Sequence, residues 1–319
     1  MVKTSLSIFL LAVAAAVVNA ESLPYCKGMY ADNHSNCGKF HLPHGTDYNP
    51  NANGDIGYIK KTNHHFSSTA THNYAIMVTN TFENGIPQND YSTCVNIGDG
   101  RGYTCGSIGF TSDDGSMLDP IDRYGKLLKP KHKKNPFDKY LKTLDRNSNS
   151  ESGSTSGLGG ISTMWTHLGC TDSLFRKAQD EAGAAEVEPN AFGHAAYANV
   201  KSNLGLLIFR DSEVQHGSGN SEPHIGVEAI MKVTASELPK KHTEAQYLSK
   251  FLEVRRQLLC CYRPDGDTTW PESADRISDL QSLVKTRNWA LKAPFRLPAY
   301  TQTITRRTPI YIPPKSCRK

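Results

Sequence analysis

Between residues 72 and 84 the apolar side chains Tyr74, Val78 and Phe82 return at helical spacing, and Gly85 and Pro87 then end the pattern. Residues 107–111 alternate instead, as a short strand does. Helical stripes resume with Leu118, Ile121, Tyr124 and Leu128, and again with Phe137, Tyr140, Leu141 and Leu144. The Ser/Gly/Asn-rich stretch 147–160 reads as a mobile linker between two lobes. Beyond it, Thr171 is positioned to cap a helix carrying Leu174, Phe175, Ala178 and Ala182, and Asn190 to cap another carrying Phe192, Ala195, Ala196 and Asn199. Leu204, Leu207 and Ile208 open a third. The pattern predicts a mainly helical (α+β) protein with a small sheet.

Three charges interrupt these stripes. Asp211 falls on the apolar face begun by Leu204, Arg255 lies among Leu248, Leu252 and Leu259, and Arg276 aligns with Leu280 and Leu283. A charge on a buried face is costly unless paired, so the economical arrangement is a buried Arg–Asp–Arg cluster.

Candidate chemistry centres on residues 96–104, where Gly98, Gly100 and Gly102 free the backbone around Asp99, Arg101 and Thr104. Asp99, among loop amides and beside Arg101, is expected to stay ionised. Glu83, at the negative end of the helix dipole of 72–84, is expected to have a raised pKa. Two carboxyls pushed apart in this way suit general acid and general base. His216, ahead of Gly217-Ser218-Gly219, has the residue types of a serine-activating base. No Gly-x-Ser-x-Gly elbow accompanies it, and a core or supporting histidine is the simpler reading.

Composition sets the compartment. Lys3, the apolar run 8–18 and Val18-Asn19-Ala20 form a signal-peptide pattern over residues 1–20, and no later stretch is long and apolar enough to span a bilayer. The eight cysteines all follow that segment, an even count that favours disulfides in an oxidising compartment and leaves their connectivity open. Asn33-His34-Ser35 is a glycosylation sequon. The histidines of the loop-rich segment 21–71 lack the Cys or carboxylate framework of a metal site, so neither metal nor cofactor is expected. A net charge of +5 is too mild to imply nucleic acid, and the lysines of 126–142 have only sparse interleaved aromatics and read as a solvated face. Asp113, Asp114, Asp119 and Asp122 put acid beside the 96–104 loop. Pro298, Pro309, Pro313 and Pro314 predict an extended tail over 301–319 that Cys317 pins. The organisation expected is signal peptide 1–20, extension 21–71, a two-lobed domain 72–300 and that tail.

The run Phe82-Glu83-Asn84, followed by Asn96-Ile97-Gly98-Asp99-Gly100-Arg101-Gly102-Tyr103-Thr104 and by Gly106, Ile108, Gly109 and Phe110, closely resembles the catalytic segment of the chitosanases of glycoside hydrolase family 46. The resemblance continues through Phe209-Arg210-Asp211, His216-Gly217-Ser218-Gly219 and Phe251-Leu252-Glu253-Val254-Arg255. It implies a lysozyme-like two-lobed fold and inverting, endo-acting cleavage of β-1,4 linkages in chitosan. By matching position it makes Glu83 the general acid, Asp99 the general base and Thr104 the residue that holds the attacking water. Arg101, Asn84, Asp113, Asp114 and Ser116 would line the substrate, and Asp211, Arg255 and Arg276 would form the family's ion network. Bacterial members commonly carry an amine-recognising aspartate where this chain has Ser116, a departure for which Asp113 or Asp114 could compensate. The implied partner is a glucosamine polymer, with a secreted monomer and neither membrane nor nucleic acid. Competing readings are a lysozyme-superfamily glycosidase of partly acetylated chitin or peptidoglycan, and a carbohydrate-binding protein without catalysis. Intact Glu83, Asp99 and Thr104 argue against the second.

Overall fold

The computed structural model describes residues 24–26, 59–218, 226–261 and 269–318. The expected signal peptide, the Asn33 sequon and most of the 21–71 extension lie outside the described residues. In chain order the elements are α1 (Thr69–Asn84), β1 (Cys94–Val95), β2 (Thr104–Cys105), β3 (Phe110–Thr111), α2 (Leu118–Leu128), α3 (Asp138–Ser150), α4 (Ile161–Thr171) and α5 (Ser173–Tyr197). They continue with α6 (Asn203–His216), α7 (Val227–Glu237), α8 (Glu244–Cys261), α9 (Thr269–Glu272), α10 (Asp275–Lys285), β4 (Phe295–Leu297) and β5 (Gln302–Ile304). The protein is mainly helical, with small antiparallel sheets.

The chain forms two compact units. The first comprises Gln88–Val187 and the residues from Tyr311 on. Its core is aromatic: Trp165 and Phe175 meet edge to face with centroids 4.8 Å apart, and Phe137 lies 5.2 Å from Phe175. Around them pack the apolar stripes of α2 and α3. The three-stranded sheet β1-β2-β3 has Val95 opposite Thr104 and Thr104 opposite Thr111, and a disulfide joins the opposed Cys94 and Cys105. Ser162 of α4 holds this sheet by donating to the Cys94 carbonyl at 2.6 Å. A second disulfide, Cys170–Cys317, fixes the end of the chain to α4.

The second unit comprises the described residues up to Pro87 and Glu188–Ile310. Ser68 caps α1 by accepting the Thr71 amide at 3.1 Å, and Gly85, at φ 73°, closes it by donating to the Thr81 carbonyl. Ser202 caps α6 in the same way through the Gly205 amide. The buried faces of α1, α6, α8 and α10 make one apolar core, to which the Cys26–Cys260 disulfide adds a covalent tie.

Four local expectations change. Thr171 ends α4, and it is Asp172 that accepts the Leu174 amide at 2.8 Å; its carboxylate is the stronger acceptor at the start of α5. Asn190 caps nothing, because α5 runs on through Pro189 and forfeits only the hydrogen bond that the missing N–H would have made. The 107–111 strand shortens to Phe110–Thr111, since Gly106 and Gly109 at positive φ turn the chain first. The expected tail begins as a strand: its prolines start only at Pro309, so residues 302–304 keep their amides and pair with β4, Arg296 opposite Thr303.

The stretch 147–160 also departs from expectation. Asn147–Ser150 complete α3, and the whole stretch belongs to the first unit. Its small residues serve close packing there.

Candidate active site

In the first unit, the β1–β2 loop carries Asp99 and Arg101. Gly98, Gly100 and Gly102 all have positive φ, at 80°, 87° and 76°, a conformation that side chains with a Cβ resist. The turn they allow folds Asp99 back on its own backbone: Oδ1 accepts the Arg101 amide at 3.1 Å, and Oδ2 receives the Arg101 guanidinium at 2.8 Å from Nε and 2.6 Å from Nη2. Slight desolvation works against charge here, but the Arg101 amide and guanidinium hold the Asp99 carboxyl below the usual carboxylate range.

Thr104 follows in β2. Its hydroxyl is buried and has no hydrogen-bond partner among the described residues, and the same holds for the Thr111 hydroxyl across the strand pair and for Oδ1 of Asp113. Three polar oxygens left unpaired in one small region are unusual for a structural core and leave capacity for an added ligand. Ser116 is already engaged: its hydroxyl accepts the Thr111 amide at 2.8 Å, while Asp114 accepts the Ser116 amide at 2.8 Å. Asp119 and Asp122 pair along α2 with Arg123 and Lys126.

The second unit holds Glu83 and the three charges on apolar stripes. Arg276 is 2.8 Å from Glu83 and 3.6 Å from Asp211, and Asp211 is 2.8 Å from Arg255. Both Asp211 and Arg255 are fully buried. Burial works against the charge on Arg276, but Glu83 and then Asp211 hold its guanidinium up, while for Arg255 burial outweighs Asp211 and pulls it down. Glu83 therefore has a guanidinium as its nearest charge, in addition to the end of the α1 dipole. Asn84 is exposed at the end of the same helix. Arg255 donates its Nε–H to His216 Nε2 at 3.0 Å. A guanidinium can only donate, so His216 is the neutral tautomer protonated at Nδ1. Ser218 donates its hydroxyl to Glu213.

Two features escaped the sequence reading. Glu186 of α5 is pushed up to about 7 by burial and by the Asp114 and Asp119 carboxylates. Its signal was available, because Ala178, Ala182 and Glu186 share one stripe. In the second unit, fully buried His194 sits 2.9 Å from Glu228 and 3.4 Å from Glu213. No local pattern marks that triplet, whose members come from α5, α6 and α7. Among the described residues, no helix is long and apolar enough to cross a membrane, and no group of metal-ligating side chains is arranged to hold an ion.

The family model described as glycosyl hydrolase family 46 matches residues 77–295, a span that contains Glu83, the 96–104 loop and the Asp211 cluster. A chitosanase of Bacillus subtilis (strain 168) is 33% identical over 228 residues, covering 70% of this chain and 80% of that protein. The native chitosanase of Bacillus subtilis MY002 aligns in structure with a TM-score of 0.59 at 31% identity, over 76% of this chain and 100% of that one. A family 46 chitosanase of Gynuella sunshinyii, solved in complex with chitotetraose, aligns with a TM-score of 0.59 at 28% identity, over 76% of this chain and 99% of its own.

Proposed function

We propose, from the premise that the chain belongs to glycosyl hydrolase family 46 and is a glycoside hydrolase, that it is a secreted, endo-acting chitosanase working by inversion. The observation that carries the assignment of roles is the Asp99 turn. It presents an ionised carboxylate, fixed by Arg101, on the same loop and strand as the unpartnered hydroxyl of Thr104.

In this reading Glu83 gives its proton to the glycosidic oxygen as the bond from that oxygen to the anomeric carbon breaks. Asp99 takes a proton from the water whose oxygen bonds to that carbon, and the Thr104 hydroxyl holds that water. The products are two shorter chains, one with a new reducing end, and every proton is accounted for without a cofactor. Arg101 keeps Asp99 anionic and fixes its orientation. Asp113 and Asp114, with Asp119 in the same unit, supply negative charge suited to a polymer of protonated glucosamine. Ser116, its hydroxyl engaged by β3, serves the turn and leaves amine recognition to these carboxylates. Disulfides among the described residues support an oxidising, extracellular location.

The test is reducing-end release from soluble chitosan by the wild type, Glu83→Gln and Asp99→Asn. Each variant should stay folded and lose roughly 10²–10⁴-fold in turnover. Near-wild-type turnover by either folded variant would overturn its assigned role.

A further inference from the structure

The Asp99 turn is held from two sides within its own unit. On one side lies Ser112, buried at 1% exposure, whose hydroxyl accepts the Tyr103 amide at 3.0 Å and donates to the Arg101 carbonyl at 3.4 Å. On the other side lies residue 153. A Cβ placed there would fall 1.7 Å from the Gly100 carbonyl oxygen, 2.5 Å from its carbon and 2.9 Å from the Gly102 amide nitrogen. All three are backbone atoms, which cannot swing aside as the end of a side chain can. Gly153 is not among the glycines at positive φ. Its φ is therefore not the left-handed one that calls for glycine, and the requirement for glycine there comes from space.

The segment bearing Gly153 is itself anchored. Asn147, near the end of α3 and 2% exposed, donates from Nδ2 to the Ser154 carbonyl at 2.7 Å, and its own carbonyl accepts the Ser152 amide at 2.9 Å. The two bonds flank Gly153 and fix its backbone against that of Gly100. Between Gly98 and Gly100, the Asp99 carboxylate is oriented by the amide and guanidinium of Arg101, two residues further along. Displacing the Gly100 carbonyl rotates the peptides that this turn depends on.

We infer that Gly153, fastened by Asn147, is a positioning residue for the Asp99–Arg101 turn: it lets the two backbones meet and so fixes the direction of the Asp99 carboxylate. This rests on the base role proposed for Asp99. Among the described hydrogen bonds, those of 152–154 run to Asn147 and within the segment, and none to Asp99 or Thr104.

The experiment is a set of variants assayed on chitosan oligomers. Gly153→Ala adds one methyl group, and misplacement of a reacting group by a fraction of an ångström to an ångström costs roughly ten- to a hundred-fold in rate. The loss should fall on kcat, with KM within about two-fold. The acid limb of the kcat/KM profile should move up toward the ordinary carboxylate range, because the contacts from Arg101 that hold Asp99 low are loosened. Asn147→Ala, which adds no atom, should give a smaller shift in the same direction; it decides the matter if Gly153→Ala does not fold. In an Asp99→Asn background, Gly153→Ala should cost little further, since the group it positions is already disabled. Unchanged kcat and acid limb in Gly153→Ala, or in Asn147→Ala where that variant decides, would overturn the inference. So would a full additional loss in the Asp99→Asn background. Near-wild-type turnover by Asp99→Asn alone would instead remove the base assignment, and this inference with it.

Discussion

Replacing Asp211 with alanine should destabilise the second unit by roughly 3–5 kcal/mol, the range for stranding one partner of a buried ion pair. The structure shows why the upper part of the range applies. Asp211 and Arg255 are both 0% exposed, and without the carboxylate Arg255 keeps only uncharged acceptors: His216 at 3.0 Å, Gln215 at 2.5 Å and the residue 211 carbonyl at 3.5 Å. Arg276, which also leans on Asp211 at 3.6 Å, then repels Arg255 with the carboxylate that both share removed and only Glu83, on the Arg276 side, left to offset them. Equilibrium denaturation followed by circular dichroism and tryptophan fluorescence, at one pH and one salt concentration, reads the change. Asp122→Ala is the control: its Lys126 partner is solvent-exposed, as Asp122 is, and the loss should stay below about 0.5 kcal/mol. The double variant Asp211→Leu with Arg255→Met should recover much of the loss, because a buried ion pair replaced by apolar side chains leaves no orphaned charge. A midpoint for Asp211→Ala equal to wild type, or a double variant no better than the single one, would refute the reasoning.

The remaining expectations concern chemistry and pH. Proton NMR of the first-formed product should show the α-anomer released from a β-linked chain, and the β-anomer appearing first would rule out inversion. Burial disfavours a charged His194, but hydrogen bonds and charges from Glu213 and Glu228 raise it from 6.5 to about 9. That contribution to stability is fully present below pH 6.5 and is lost as pH rises toward 9. Stability should fall across this window by roughly 3 kcal/mol, and His194→Gln should flatten the dependence; a wild type equally stable at pH 6 and 9 would show the triplet is not charged.

Periodicity located most helices because each buries a single apolar stripe, and the same rule marked Asp211, Arg255 and Arg276 as charges in need of partners. Periodicity does not name the partner. That Arg276 also takes Glu83 depends on α1 and α10 meeting in the folded second unit, far apart in sequence. The glycines around Asp99 were legible as a turn because positive φ has a compositional signature. The fit of Gly153 against Gly100 has none, since a glycine required for space looks in sequence like a glycine in a linker. Composition therefore misled most over 147–160, where Asn147 is a buried anchor. Asn190 misled for a related reason: Asn is a favoured helix N-cap, but α5 continues through it.

The general-acid role proposed for Glu83 and the buried ion cluster bear on each other through charge. With Glu83 ionised, the two carboxylates balance the guanidiniums of Arg255 and Arg276. An acid must carry its proton when it acts, and the cluster then holds one net positive charge, with the 2.8 Å partner of Arg276 reduced to a neutral acceptor. Asp211 remains as the anion for both arginines, and its burial prevents water from taking over that task. Asp211→Asn, close in shape but uncharged, would withdraw that anion and leave two buried guanidiniums unbalanced whenever Glu83 is protonated. The same substitution that weakens the fold thus alters the charge that Arg276 brings to Glu83, although residue 211 is itself fully buried.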